Sequence, residues 1–126
     1  MAIAVHADEE RRLLVVSVSG VLTDQELEGV HIWRQHELYK AGCPVLADCT
    51  RLTGGEVKIT SAAIYELKEI TASDANLVAI VATDPVARGM ARMYEIVSNG
   101  SVERVAVFRE MDAAFRWLDV KRTSAT

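Results

Sequence analysis

The side chains able to do chemistry fall in a few short stretches. Gly20–Asp24, Asp48–Thr53, Thr83–Arg88 and Arg109–Asp112 each follow a strand-like segment, and Thr60-Ser61 opens a helix-like one. Asp48, Thr50, Thr60, Ser61, Asp84 and Arg88 are the candidates for ligand binding or regulation. Thr60-Ser61 offers free backbone donors, two hydroxyls and nearby Lys58, which would suit a phosphate. The plainer alternative is that one hydroxyl caps the helix. Asp48 ends a buried-looking strand, where a carboxylate needs a partner or solvent. It could act as a base or position a ligand, or it could bond the N–H groups of its own loop. Asp84-Pro85 suits an N-cap and a first helical position, which makes it a poor anion site. Arg88 could reach over the same rim, or pair with Glu95 or Asp84 in solvent. General acid–base chemistry by Asp48, Thr60 and Arg88 would require them to converge at roughly 3 Å.

No nucleophile elbow, phosphate-binding loop, dinucleotide glycine fingerprint or Cys-His pairing is present, and no cofactor is expected. His31 and His36 stand five apart, about 140° around a helix, so they cannot share a metal as an HExxH pair does. No metal site is expected. Cys43 and Cys49 match neither a redox nor a zinc spacing, and read as small buried hydrophobes in a reducing cytoplasm. Gly54-Gly55 reads as a turn.

Composition narrows the classes further. The chain has 126 residues, half of them hydrophobic and a quarter charged, with a net charge of −4 and a pI near 5.3. That suits one globular domain over 1–120 with a polar tail over 121–126. No Lys/Arg cluster suggests nucleic acid, and Arg11-Arg12 is offset by Glu9 and Glu10. The first residues lack the pattern of a signal peptide, and no apolar run would span a bilayer.

These candidates must be positioned by alternating strands and helices. Ile3–Ala7 and Leu13–Ser19 read as a hairpin around a charged turn. Thr23-Asp-Gln-Glu26 has the capping-box pattern and opens a helix that runs to about Ala41. Leu27, Val30, His31, Leu38 and Ala41 form its inner face, with His36 exposed. Ile32, Trp33 and Tyr39 then lie off that face, as a surface for self-association or a protein partner. Val45–Cys49, Leu77–Ala82 and Val105–Arg109 read as further strands. Leu77–Ala82 is unbroken apolar sequence, which predicts a strand covered on both faces. Helices follow over about Ser61–Ala72, from Pro85 to Asn99-Gly100, and over about Met111–Leu118. Val86, Met90, Met93, Tyr94 and Val97 form the buried stripe of the penultimate helix. The order β-β-α-β-α-β-α-β-α predicts an α/β domain with a five-stranded mixed sheet, its later strands parallel through right-handed crossovers.

Three segments carry a family resemblance: Leu14-Val-Val-Ser-Val-Ser-Gly-Val-Leu-Thr-Asp24, Val45-Leu-Ala-Asp-Cys-Thr50 and Ala87-Arg-Gly-Met-Ala-Arg-Met-Tyr-Glu95. With the element order, they resemble the SpoIIAA-like fold of STAS domains, and more closely a group of small bacterial STAS/SEC14-like proteins. The resemblance spans nearly the whole chain and implies no reaction. In phosphorylatable STAS domains a Ser or Thr opens the second helix inside Asp-Ser-Ser/Thr-Gly. Here the matching Lys58-Ile-Thr-Ser-Ala-Ala63 lacks the Asp and the Gly, which argues against that switch.

The resulting expectation is a non-catalytic STAS-like module acting through protein association, as a homodimer or with another protein, or through a small anionic or apolar ligand. The alternatives are a SEC14-like apolar-ligand or lipid-binding domain, which needs a sizeable cavity, and a small enzyme.

Overall fold

In the computed structural model, residues 3–100 and 102–124 are described. β1 (Ile3–Asp8) and β2 (Leu13–Val18) form an antiparallel hairpin, with Ile3 opposite Val18 and Asp8 opposite Leu13. β4 (Val45–Asp48), β6 (Val78–Val81) and β7 (Val105–Phe108) then add in parallel, giving the order β1-β2-β4-β6-β7. This is the mixed five-stranded sheet that the residue pattern predicts. A second, two-stranded parallel sheet lies outside that pattern: β3 (Leu22–Thr23) beside β5 (Val57–Lys58). Each of its strands is too short to leave a periodic signature.

Alternation along the strands sorts the core into two layers. Leu14, Val16, Val45, Val78, Ile80 and Val105 face one way. Leu13, Leu46, Ala79 and Val81 face the other, beneath Ala114 and Leu118. That second face is covered by α6 (Met111–Ser124). The segment from Lys121, expected as a polar tail, continues α6 to Ser124, and residues 125–126 lie outside the described ones. Arg122 ties this helix to the hairpin turn by donating to the carbonyls of Arg11 and Arg12, at 2.7 and 3.1 Å.

The first face carries α4 (Ser61–Ile70), α5 (Pro85–Ser98) and three short segments. Those segments are α1 (Asp24–Leu27), α2 (Val30–Arg34) and α3 (Glu37–Lys40), where the sequence predicts one helix. Two residues break it. Gly29 stands at the first joint with helical angles (φ −59°, ψ −13°), where a Cβ would sit 3.1 Å from the Glu26 carbonyl oxygen. His36 is extended, and its Nδ1 accepts from Leu38 N at 3.1 Å, so it caps α3. The breaks change which residues face inward. His31 is exposed and His36 half-buried, the reverse of expectation, and Tyr39 is only 5% exposed. Val86, at the first turn of α5, is also exposed rather than buried.

α5 additionally dresses the outer edge of β7. Asn99 accepts from Val105 N at 2.9 Å and donates to Val105 O at 2.8 Å. Glu95 accepts from Val107 N at 3.0 Å. One helical turn rises about 5–6 Å and two strand residues about 6.6 Å, so side chains four apart on a helix can serve alternate strand residues.

Candidate functional site

Asp48, Asp84 and Arg88 at the carboxyl rim are engaged locally. Asp48 accepts from Thr50 N at 3.1 Å and from Thr50 Oγ at 2.6 Å. Asp84 caps α5, accepting from Val86 N and Ala87 N at 2.9 and 3.2 Å. The Ala87 N–H, with those of Gly54 and Val86, holds the Asp84 carboxyl below its usual range. Arg88 donates to Thr83 O at 3.0 Å rather than pairing with Glu95, which instead meets Arg92 at 3.0 Å. Ser61 is exposed at the first position of α4.

Thr60 has a partner that no local pattern reveals. Pairing of β3 with β5 brings Asp24 beside it. The Asp24 carboxylate accepts from Thr60 N at 2.8 Å and from Thr60 Oγ at 2.9 Å, while Thr60 Oγ accepts from Ala63 N at 3.1 Å. An internal carboxylate thus takes the Thr60 N–H and hydroxyl that a phosphate would otherwise use. Asp48, Thr60 and Arg88 share no hydrogen bond, and none of the three lines the apolar cavity between the sheet and its helical cover. Thr60→Ala is expected to lower stability by about 1–2 kcal/mol, with Thr60→Ser nearer wild type, because the hydroxyl caps α4. Urea titration checks this, and equal stability of Thr60→Ala and wild type would refute it.

Of the expected partner surface, only Ile32 is fully exposed, at 63%. Trp33 is half-buried and packs edge-on against the buried Tyr39, with ring centroids 5.7 Å apart. The three residues therefore do not form one exposed apolar patch.

A polar hub at the opposite rim has no counterpart among the sequence candidates. Asp74 accepts two parallel bonds from Arg34, at 2.8 and 2.9 Å, and one from Tyr39 Oη. Burial pushes the Asp74 pKa up, but the bonds from Arg34 and Tyr39 outweigh it and hold the carboxyl below its usual range. Burial and the bond to Asp74 push the Tyr39 phenol well above its ordinary value. Asn76 donates to the carbonyls of Tyr39 and Cys43, each at 2.8 Å. Arg104 donates to Asn76 O at 3.0 Å. This hub fastens α2 and α3 to the loop after α4.

Between the segmented cover and the sheet lies a cavity of about 130 Å³. Val16, Val18, Ala47, Val78 and Ile80 form its floor. Leu27, Val30 and Trp33 come from the cover, and Ile64 and Leu67 from α4. Ala87, Met90, Ala91 and Tyr94 come from α5. The small side chains of Ala47, Ala87 and Ala91 leave volume that larger residues would fill. The Tyr94 hydroxyl is engaged with Thr71 Oγ at 2.8 Å. Cys49 also lines the cavity, and burial, aided by the charge of Asp48, pushes its thiol up to about 12. A thiol so protonated is a poor nucleophile. Among the described residues no group of three or more His, Cys, Asp or Glu side chains could hold a metal ion, and no helix is long and apolar enough to cross a membrane.

A solved structure superposes on this arrangement: an uncharacterised DUF3478-family protein with a SpoIIAA-like fold from Shewanella loihica PV-4. The TM-score is 0.60 at 19% identity, over 93% of this chain and 92% of that one. The fold is SpoIIAA-like. At that identity the similarity speaks for the fold alone. No protein-family model and no curated protein matches the sequence. In this SpoIIAA-like chain apolar side chains line the void between the sheet and the helices on its first face.

Proposed function

We propose that this SpoIIAA-like protein is a non-catalytic, STAS-like binding module that holds a small apolar ligand under its segmented cover. The observation that carries this reading is the cavity of about 130 Å³, walled by apolar side chains. A dry apolar void near 150 Å³ accepts a molecule such as benzene or xenon. The ligand is therefore benzene-sized, or the tip of an alkyl chain. The engagement of Asp48, Thr60 and Arg88 in separate bonds within the protein favours binding over turnover. So does the protonated Cys49 thiol. Free Cys43 and Cys49 suit a reducing, cytoplasmic setting.

Benzene is expected to raise the unfolding midpoint, with about 2.7 kcal/mol of stabilisation at a hundredfold excess over its Kd. Ala91→Leu adds side-chain volume to the cavity wall. It is expected to stabilise the free protein by about 1 kcal/mol and to abolish the benzene shift. No shift with the wild-type protein, or the same shift in Ala91→Leu, would overturn the reading.

A further inference from the structure

Two residues line both the cavity and a second void. Leu27 and Leu67 are half-buried and line both the apolar cavity and a groove of about 360 Å³. The groove runs between α1 with the start of α2, and α4. Its polar lining is acidic: Asp24, Glu28 and Glu66 contribute to it, with Gln25 and His31, and no Lys or Arg. Asp24 is held by Thr60, which leaves Glu28 and Glu66 as exposed carboxylates facing the groove. The wall on the α1 side is short, and it is tied to α4 by the pair of bonds from Thr60 to Asp24 at its first residue. α1 has four residues and no fully buried side chain. Segments with so little buried surface are the first to open locally.

We propose that ligands enter through this groove, past a gate formed by Leu27 and Leu67, and that the mouth selects a polar end that is neutral or cationic over a carboxylate. The proposal rests on the cavity-binding reading and specifies its ligand: a short alkyl or aryl group carrying an amine or a hydroxyl. The apolar part passes the two leucines, and the polar end stays in the groove. An amine there meets opposite charge, whereas a carboxylate meets like charge.

The test uses the full chain at neutral pH with benzene, hexan-1-ol, hexylamine and hexanoate, read by calorimetry or ligand-observed NMR. Hexylamine and hexanol are expected to bind about tenfold more tightly than hexanoate, a preference of the size that one or two nearby charges produce. The double variant Glu28→Gln/Glu66→Gln is expected to erase the preference between hexylamine and hexanoate. Leu27→Ala is expected to speed hexylamine association several-fold, with Leu67→Ala as the substitute if the first variant folds poorly. Equal affinity for hexanoate and hexylamine overturns the selectivity, and an unchanged association rate in both leucine variants overturns the gate. Failure of all four compounds, benzene included, would instead remove the cavity-binding reading beneath it.

Discussion

Asp74→Ala is expected to lower stability by about 3 kcal/mol, because it strands two partners at once. The Arg34 guanidinium loses both of its bonds, and the Tyr39 hydroxyl loses its acceptor in a largely buried place. The loss should depend on pH. The hub holds the Asp74 carboxyl below its ordinary value, so its contribution is complete above about pH 4, where an unfolded carboxylate ionises. It fades as the pH falls through the lower folded-state value. The stability gap between wild type and Asp74→Ala should therefore narrow in acid. Urea titrations at pH 7 and in the acid range read both effects. A gap that is absent at pH 7, or that widens on acidification, would show that the hub does not hold the cover.

Leu14→Ala is expected to cost about 3–5 kcal/mol, at the upper end of what truncating one core aliphatic side chain costs. Leu14 is 0% exposed and sits in β2, between β1 and β4, with its side chain in the larger core layer. Ile32→Ala removes a similar amount of apolar side chain from the surface and should change stability by less than about 0.5 kcal/mol. The pair separates packing from mere hydrophobicity. Comparable losses in the two variants, measured by urea titration, would mean that Ile32 is covered in solution, as a partner surface would require.

Leu14 also illustrates what is legible in the residues. It announces itself by alternation along a strand, and Val78–Val81 by an unbroken apolar run buried from both sides. Asp84-Pro85 announces the start of α5 because capping chemistry is local. The cover is less readable. Its apolar spacing fits one continuous helix, and only Gly29 and a capping histidine, His36, argue otherwise. A histidine is an uncommon cap, so the break is easily overlooked, and the phase of Trp33 and Tyr39 is lost with it. The hub is hidden for another reason. Asp74 lies 40 residues from Arg34 and 35 from Tyr39, in a stretch that reads as an ordinary polar loop. The cavity leaves no trace at all. Ala47, Ala87 and Ala91 are ordinary where they stand, and a void arises only when the fold turns them toward one space. Periodicity records which faces are apolar, and says nothing about whether opposing faces meet.

The dressing of β7 by Asn99 and Glu95 bears on how this protein keeps company in a crowded solution. A bare outermost strand is an invitation to zip up with a neighbouring chain. Here three of the groups that a newcomer would grip are already taken by side chains of the preceding helix. Any lasting encounter on that flank would first have to prise those side chains away, so copies that pair there should meet through side-chain surfaces instead of growing a shared ribbon.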